Sequence, residues 1–259
     1  MRLSGWIMLL ALAVSAGCSK PGPLDAMHEG ERGRVVRIID GDALVLDTGQ
    51  SVRLVGIEAP ALNKRYGDPD AYAEKAARAL EDMVMGREVR LHYPGLTRDR
   101  YDRALAHLST EDGAGPSYWV NLEMVRQGHV RVRLYPDTDG AGAELFAAEK
   151  EARERGLGLW SLRDYRPKPW ADFDPDYRGF AIVEGVIDGE VDRPDEEARR
   201  TLCARAMRNS DLVIDIAFTA RTSCDVAAGT RVELRGWISE KRMELVHPLH
   251  LEVLPEGGD

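Results

Sequence analysis

Two carboxylates and an arginine stand close together in RVVRIIDGDALVLDTGQSVRLVGIEAP, residues 34–60 of a 259-residue chain. Apolar residues alternate through Val36 and Ile38, Leu44 and Leu46, Val52 and Leu54, a strand period broken at Asp40-Gly41-Asp42 and Thr48-Gly49. A two-residue turn at Thr48-Gly49 pairs residues whose numbers add to about 97. Asp42 then lies within a rung or two of Arg53, and Glu58 projects where the second strand ends. Carboxylate oxygens suit a hard divalent cation and a guanidinium fork suits a phosphate, so this surface can serve a metal-assisted attack on a phosphodiester. An ordinary Asp-Gly hairpin turn with exposed charges accounts for the same residues.

A second cluster, Asp99-Arg100-Tyr101-Asp102-Arg103-Ala104-Leu105-Ala106, places another arginine at the entrance of an alternating apolar segment. The elements around these clusters follow from their periods. Ala73, Ala76, Ala77, Leu80, Met83 and Val84 recur at helical spacing within 71–85, and Gly86 is the stop. Segments 88–93 and 103–108 are strands, 120–127 a short helix closed by Gly128, 130–134 a strand, and 145–155 a charged helix ended by Gly156. Strands first, with helices interspersed and no βαβ rhythm, make an α+β, mainly β fold: a small barrel with packed helices. Residues 164–177 hold prolines without periodicity and are expected to link this domain, 33–163, to a second β domain at 178–259 with four or five strands. In that tail His247 and His250 flank Pro248 with no further His or Cys nearby, a spacing better suited to surface or strand residues than to a metal site.

The net charge of −9 argues against binding nucleic acid through bulk positive charge. The acidity lies mostly in the tail: residues 33–166 carry 20 Lys and Arg against 22 Asp and Glu, whereas residues 167–259 carry 12 against 19. No strong duplex-binding surface is expected, since that requires many phosphate contacts, but local cations and a metal suffice to grip one or two phosphates. Arg2, the apolar run 6–14 and the small residues that follow make 1–17 a secretion signal, too short for a membrane span. Ser15-Ala16-Gly17-Cys18 resembles a bacterial lipoprotein cleavage box, which implies a lipid on Cys18, a membrane anchor facing the periplasm or exterior, and a tether over 18–32. Cys203 and Cys224 remain, a pair available for a disulfide in an oxidising compartment or left as two buried thiols.

In one order the chain carries DGD (Asp40 to Asp42), RLVGIEAP (Arg53 to Pro60), DRYDRALA (Asp99 to Ala106), VNLEMVRQG (Val120 to Gly128) and GLGLW (Gly156 to Trp160). This series resembles the thermonuclease family, the staphylococcal-nuclease-like domain. The resemblance implies a five-stranded OB-type barrel with three helices, and the tail segments GTRVELRGWIS and HPLHLEVL resemble the last strands of a second, OB-like barrel. It also implies a calcium-dependent nuclease acting on DNA or RNA. Asp42, Glu58 and the backbone carbonyl of Ala59 would bind the ion, with Asp40 in support. Arg53 and Arg103 would clamp the scissile phosphate, Arg100 and Tyr101 a neighbouring one, and Tyr135 would offer a face for a base. The chain departs from the family pattern at Ala61, where a water-activating glutamate is usual, at Ala43 and Ala59 in place of threonines, and at Asp102 in place of glycine. The alternative is a non-catalytic envelope protein that binds nucleic acid, or a protein partner of unknown identity, through its two barrels.

Overall fold

The computed structural model describes residues 22–62, 68–111, 113, 115, 117–192 and 201–255. The expected signal segment 1–17, Cys18 and the first residues of the tether lie outside the described residues. The first barrel is built from β1 (His28–Asp40), β2 (Ala43–Leu46) and β3 (Ser51–Leu54). A short β4 (Ile57–Glu58) and helix α1 (Ala73–Val84) follow, then β5 (Glu88–Tyr93) and β6 (Ala104–Thr110). Helix α2 (Val120–Arg126), β7 (Arg131–Val132) and helix α3 (Gly142–Glu154) complete the domain. The strands close in the order β1-β2-β3-β6-β5, with β3 and β6 parallel and the remaining neighbours antiparallel. The five-stranded OB-type barrel with three α-helices is therefore what the described residues form.

The hairpin register differs from expectation. Ala43 faces Arg53 and Leu44 faces Val52, one residue off the two-residue turn. The loop is the three residues Asp47, Thr48 and Gly49, with Gly49 at φ 85° and the Leu46 N–H bonded to the Gln50 carbonyl at 3.0 Å. Packing explains the choice: this register pairs two fully buried apolar residues, Leu44 and Val52, where the other would set Leu44 against Arg53. The tether is also shorter than expected, because β1 starts at His28 and pairs there with Tyr93 of β5. Its side chains face outward too often for strand periodicity to show in the sequence.

In the second barrel, β8 (Lys168–Pro169), β9 (Gly179–Glu190), β10 (Thr201–Met207) and β11 (Val213–Ala217) are followed by β12 (Arg231–Ser239), β13 (Arg242–Leu245) and β14 (Leu251–Val253). Pairings β9–β10, β10–β11, β11–β13, β13–β12 and β12–β9 return to their start, and β11–β13 is the parallel step. Both rings thus run first, second, third, fifth, fourth. A disulfide joins Cys203 of β10 to Cys224. The expected linker does more than connect: β8 pairs with β9, and Trp170 is buried in the second core.

Charged and aromatic side chains fasten the barrels together. Glu149 of α3 accepts from the Val132 N–H at 2.8 Å and from Arg235 of β12 at 2.6 Å, and Arg131 donates to the Phe180 carbonyl at 2.7 Å. His247 and His250 are buried in this contact rather than exposed. His250 accepts from the Leu134 N–H at 3.0 Å, and burial, helped by Arg235, pulls its pKa to about 3, so it stays neutral. His247 meets Asp139 at 3.1 Å.

Two motif glycines touch where the end of α2 meets the segment after α3. Gly128 and Gly158 both have positive φ, and a Cβ on Gly158 would overlap the Gly128 carbonyl, which accepts from the Leu159 N–H at 2.8 Å. Gly158→Ala is expected to lower stability by about 2–3 kcal/mol through backbone strain. A urea midpoint equal to that of the parent protein contradicts this.

Candidate active site

Asp42 follows the tight Asp40-Gly41 corner between β1 and β2, and its own N–H is bonded to the Asp40 carboxylate at 3.2 Å. Its side chain is fully buried, and its carboxylate meets the Arg53 guanidinium and the Ala59 N–H, the latter at 2.6 Å. Arg53 lies one rung away on β3, since the Leu54 N–H bonds the Asp42 carbonyl at 2.8 Å. Its other terminal nitrogen donates to Glu58 at 2.7 Å. One guanidinium therefore links both carboxylates named from the sequence.

Glu58 is brought back over Arg53 by the turn at Gly56, where φ is 77° and a Cβ would overlap a Leu145 methyl. Asn121, fully buried, steadies that turn by donating to the Val55 carbonyl at 2.9 Å and accepting from the Leu108 N–H at 3.0 Å. This is the chemistry behind the RLVGIEAP and VNLEMVRQG segments: glycine makes room and the asparagine amide ties strand β6 to the turn.

Arg133 also donates to Glu58, at 3.1 Å. Sequence reasoning passed over it, yet a signal was present: Val130, Val132 and Leu134 are buried, so Arg131, Arg133 and Tyr135 share the opposite face. Arg53, Glu58, Asp99, Arg103, Arg133 and Tyr135 line one cleft of about 440 Å³. Asp99 holds Arg103 in place, accepting from its side chain at 2.7 Å and its N–H at 3.0 Å, and from the Tyr101 N–H at 2.9 Å. Burial opposes the charge on Asp99, but these donors outweigh it and keep its pKa below the ordinary value. Arg100 and Tyr101 stack on each other at 4.8 Å and stand outside the residues lining the cleft, although Arg103 also reaches the Tyr101 ring at 5.7 Å. Asp102 has φ 60°, which is why glycine is usual there, and Asp is among the side chains that tolerate this region.

The electrostatics of the two carboxylates differ. Burial drives the Asp42 carboxyl well above its ordinary value; Arg53 opposes this, and the charges of Asp40 and Glu58 add to it. Burial pushes Glu58 the same way, but Arg53, Arg133 and Arg131 overcome it and hold its carboxyl below its ordinary value. Among the described residues no three of His, Cys, Asp and Glu gather closely enough to hold an ion. A divalent cation here would rest on two carboxylates, with backbone carbonyl and water oxygens making up the set. Such hard donors suit calcium rather than zinc, and mutual repulsion among Asp40, Asp42 and Glu58 is what a cation would relieve. In donor type the two carboxylates suit such an ion, and both are engaged by Arg53.

The sequence family described as Staphylococcal nuclease homologue matches residues 51–162, ending before the second barrel. A thermonuclease of Staphylococcus intermedius is 31% identical over 169 residues, covering 61% of this chain and 98% of that protein. An uncharacterized endonuclease of Escherichia coli O157:H7 is 37% identical over 141 residues, 53% of this chain and 82% of its own. Protein ParB of Escherichia coli is 35% identical over 187 residues, 66% and 93% of the respective chains. With this barrel and this cleft, the chain belongs to the staphylococcal nuclease homologue family.

Glu58 gives a pH test. Its folded pKa lies below the ordinary 4.5, so the stability it contributes is full above that pH and is lost as pH falls through the folded value. Asp42, raised, runs in the opposite sense. Glu58→Gln is expected to flatten the acid limb of the melting-temperature profile. An acid limb as steep as that of the parent protein sets this assignment aside.

Proposed function

We propose that the protein is a calcium-dependent nuclease that hydrolyses phosphodiester bonds of DNA or RNA. The observation carrying this reading is the Arg53 guanidinium joined to both Asp42 and Glu58 in a cleft that Arg103 also lines. Asp42, Glu58 and the Ala59 carbonyl would hold calcium, which when bound supplies Lewis-acid stabilisation of phosphate oxygens. Arg53 and Arg103 bind the phosphate through fork-shaped donors and neutralise charge on its equatorial oxygens as it builds. Arg103 is freed for this by exchanging Asp99 for the substrate. Tyr135, about half exposed at the cleft wall, offers its ring to a base.

Ala61 supplies no proton acceptor, and the nearby Asp70 carboxylate is engaged in bonding the Ala61 N–H at 2.9 Å while the Asp70 N–H bonds the Ala61 carbonyl at 2.9 Å. Glu74, another acidic side chain that follows, pairs with Arg78 at 3.1 Å. The reaction is thus expected to proceed with weak general-base help. The leader-like start of the sequence and Cys18 support export and a lipid anchor in a bacterial envelope. Ala61 also favours a second reading, a nuclease-like protein that binds nucleic acid or a protein partner without cutting.

Single-stranded DNA incubated with calcium and the protein lacking residues 1–18 is expected to be cleaved, and a chelator to stop it. No chelator-sensitive cleavage at high enzyme concentration selects the second reading. Ala61→Glu is expected to raise the cleavage rate about ten- to a hundredfold, within the usual worth of general-base catalysis. An unchanged rate would mean that water is activated by another group. Arg103→Ala is expected to lower kcat about a hundredfold, the scale of one lost charge-stabilising donor. Its melting temperature should barely move, and a collapse there would mark Arg103 as structural.

A further inference from the structure

We propose that Trp237 of the second barrel is a base-stacking position at the rim of the cleft, so that single-stranded nucleic acid leaving the scissile site runs onto that barrel. This rests on the nuclease reading for the identity of the polymer.

On β12, Glu233, Arg235 and Trp237 alternate on the outward side of the ring. Glu233 and Arg235 are buried because they dock on the first barrel, Glu233 receiving Arg153 at 2.8 Å and Arg235 donating to Glu149 at 2.6 Å. Trp237, next in the row, emerges beyond that contact and is 45% exposed. Its indole lies 5.4 Å from the guanidinium carbon of Arg133, the residue that binds Glu58, and Tyr135 lies 4.9 Å from the same carbon with 43% exposure. The docking of the barrels therefore sets two half-exposed aromatic rings, one from each domain, within 5.4 Å of one cationic group at the cleft wall.

This is the composition of a single-strand path: exposed rings for successive bases beside arginines for the backbone. Of the two cross-strand neighbours of Trp237, Phe180 on β9 is apolar and Glu244 on β13 is anionic, so the phosphates belong on the side of Arg133, Arg53 and Arg103. A duplex keeps its bases stacked on one another and gains nothing from an exposed indole. The net charge of −9 likewise disfavours broad duplex contact.

The test is binding of a fluorescent single-stranded DNA oligonucleotide to the full chain, read by anisotropy with a chelator present so that nothing is cut. Trp237→Ala and Trp237→Leu are expected to raise Kd about tenfold, within the range of one stacked base, and Trp237→Phe to restore most of the affinity. Unchanged Kd in the Ala and Leu variants overturns the proposal. Equal loss in all three also overturns it, because a phenyl face should serve. If the parent protein cuts nothing with calcium while Trp237→Ala still loses affinity and Trp237→Phe recovers it, the nuclease reading falls and the stacking position stands.

Discussion

The site depends on one shared guanidinium. Asp42 has no exposed surface, and an ionised carboxylate removed from water is costly unless it is paired and hydrogen-bonded. Arg53 supplies the pair and the Ala59 N–H the second donor, while the far nitrogen of Arg53 holds Glu58. Much of the surrounding architecture positions these three side chains. The β2–β3 register sets Arg53 one rung from Asp42, the Gly56 turn returns Glu58 over it, and Asn121 braces that turn.

The second barrel bears on the same site through Arg133. That arginine contacts Glu58 at one end, and its guanidinium lies within 5.3 Å of Phe180 and 5.4 Å of Trp237 from the other domain. Behind it, Glu149 and Arg235 form a buried pair whose separation would strand a charge in the interface. His250, held neutral, supplies the acceptor for the Leu134 N–H. Two rings of the same connectivity are thus joined along a polar seam that ends at the cleft.

Much of this was readable in the residues. Asp42, Arg53 and Glu58 stood out because chemistry and spacing coincide, and the α1 stripe from Ala73 to Val84 matches its period. What could not be read depended on tertiary contact. Register turned on which pair the core buries, Leu44 with Val52, and sequence alternation does not distinguish two shifts of one residue. Arg133 looked like any outward residue of VRVRLYP until Glu58 folded back onto it. In the tail, β10 lies in TLCARAM, whose half-buried pattern mixes charge with small residues and shows no strand alternation. The histidines gave no cue that a whole domain would cover them.

Calorimetric titration with calcium tests the central claim most directly, since it asks whether Asp42 and Glu58 act as one site without requiring any bond to be broken. One ion is expected to bind per chain, with binding lost in both Asp42→Asn and Glu58→Gln. An absence of binding in the parent protein, or binding that survives either substitution intact, contradicts it.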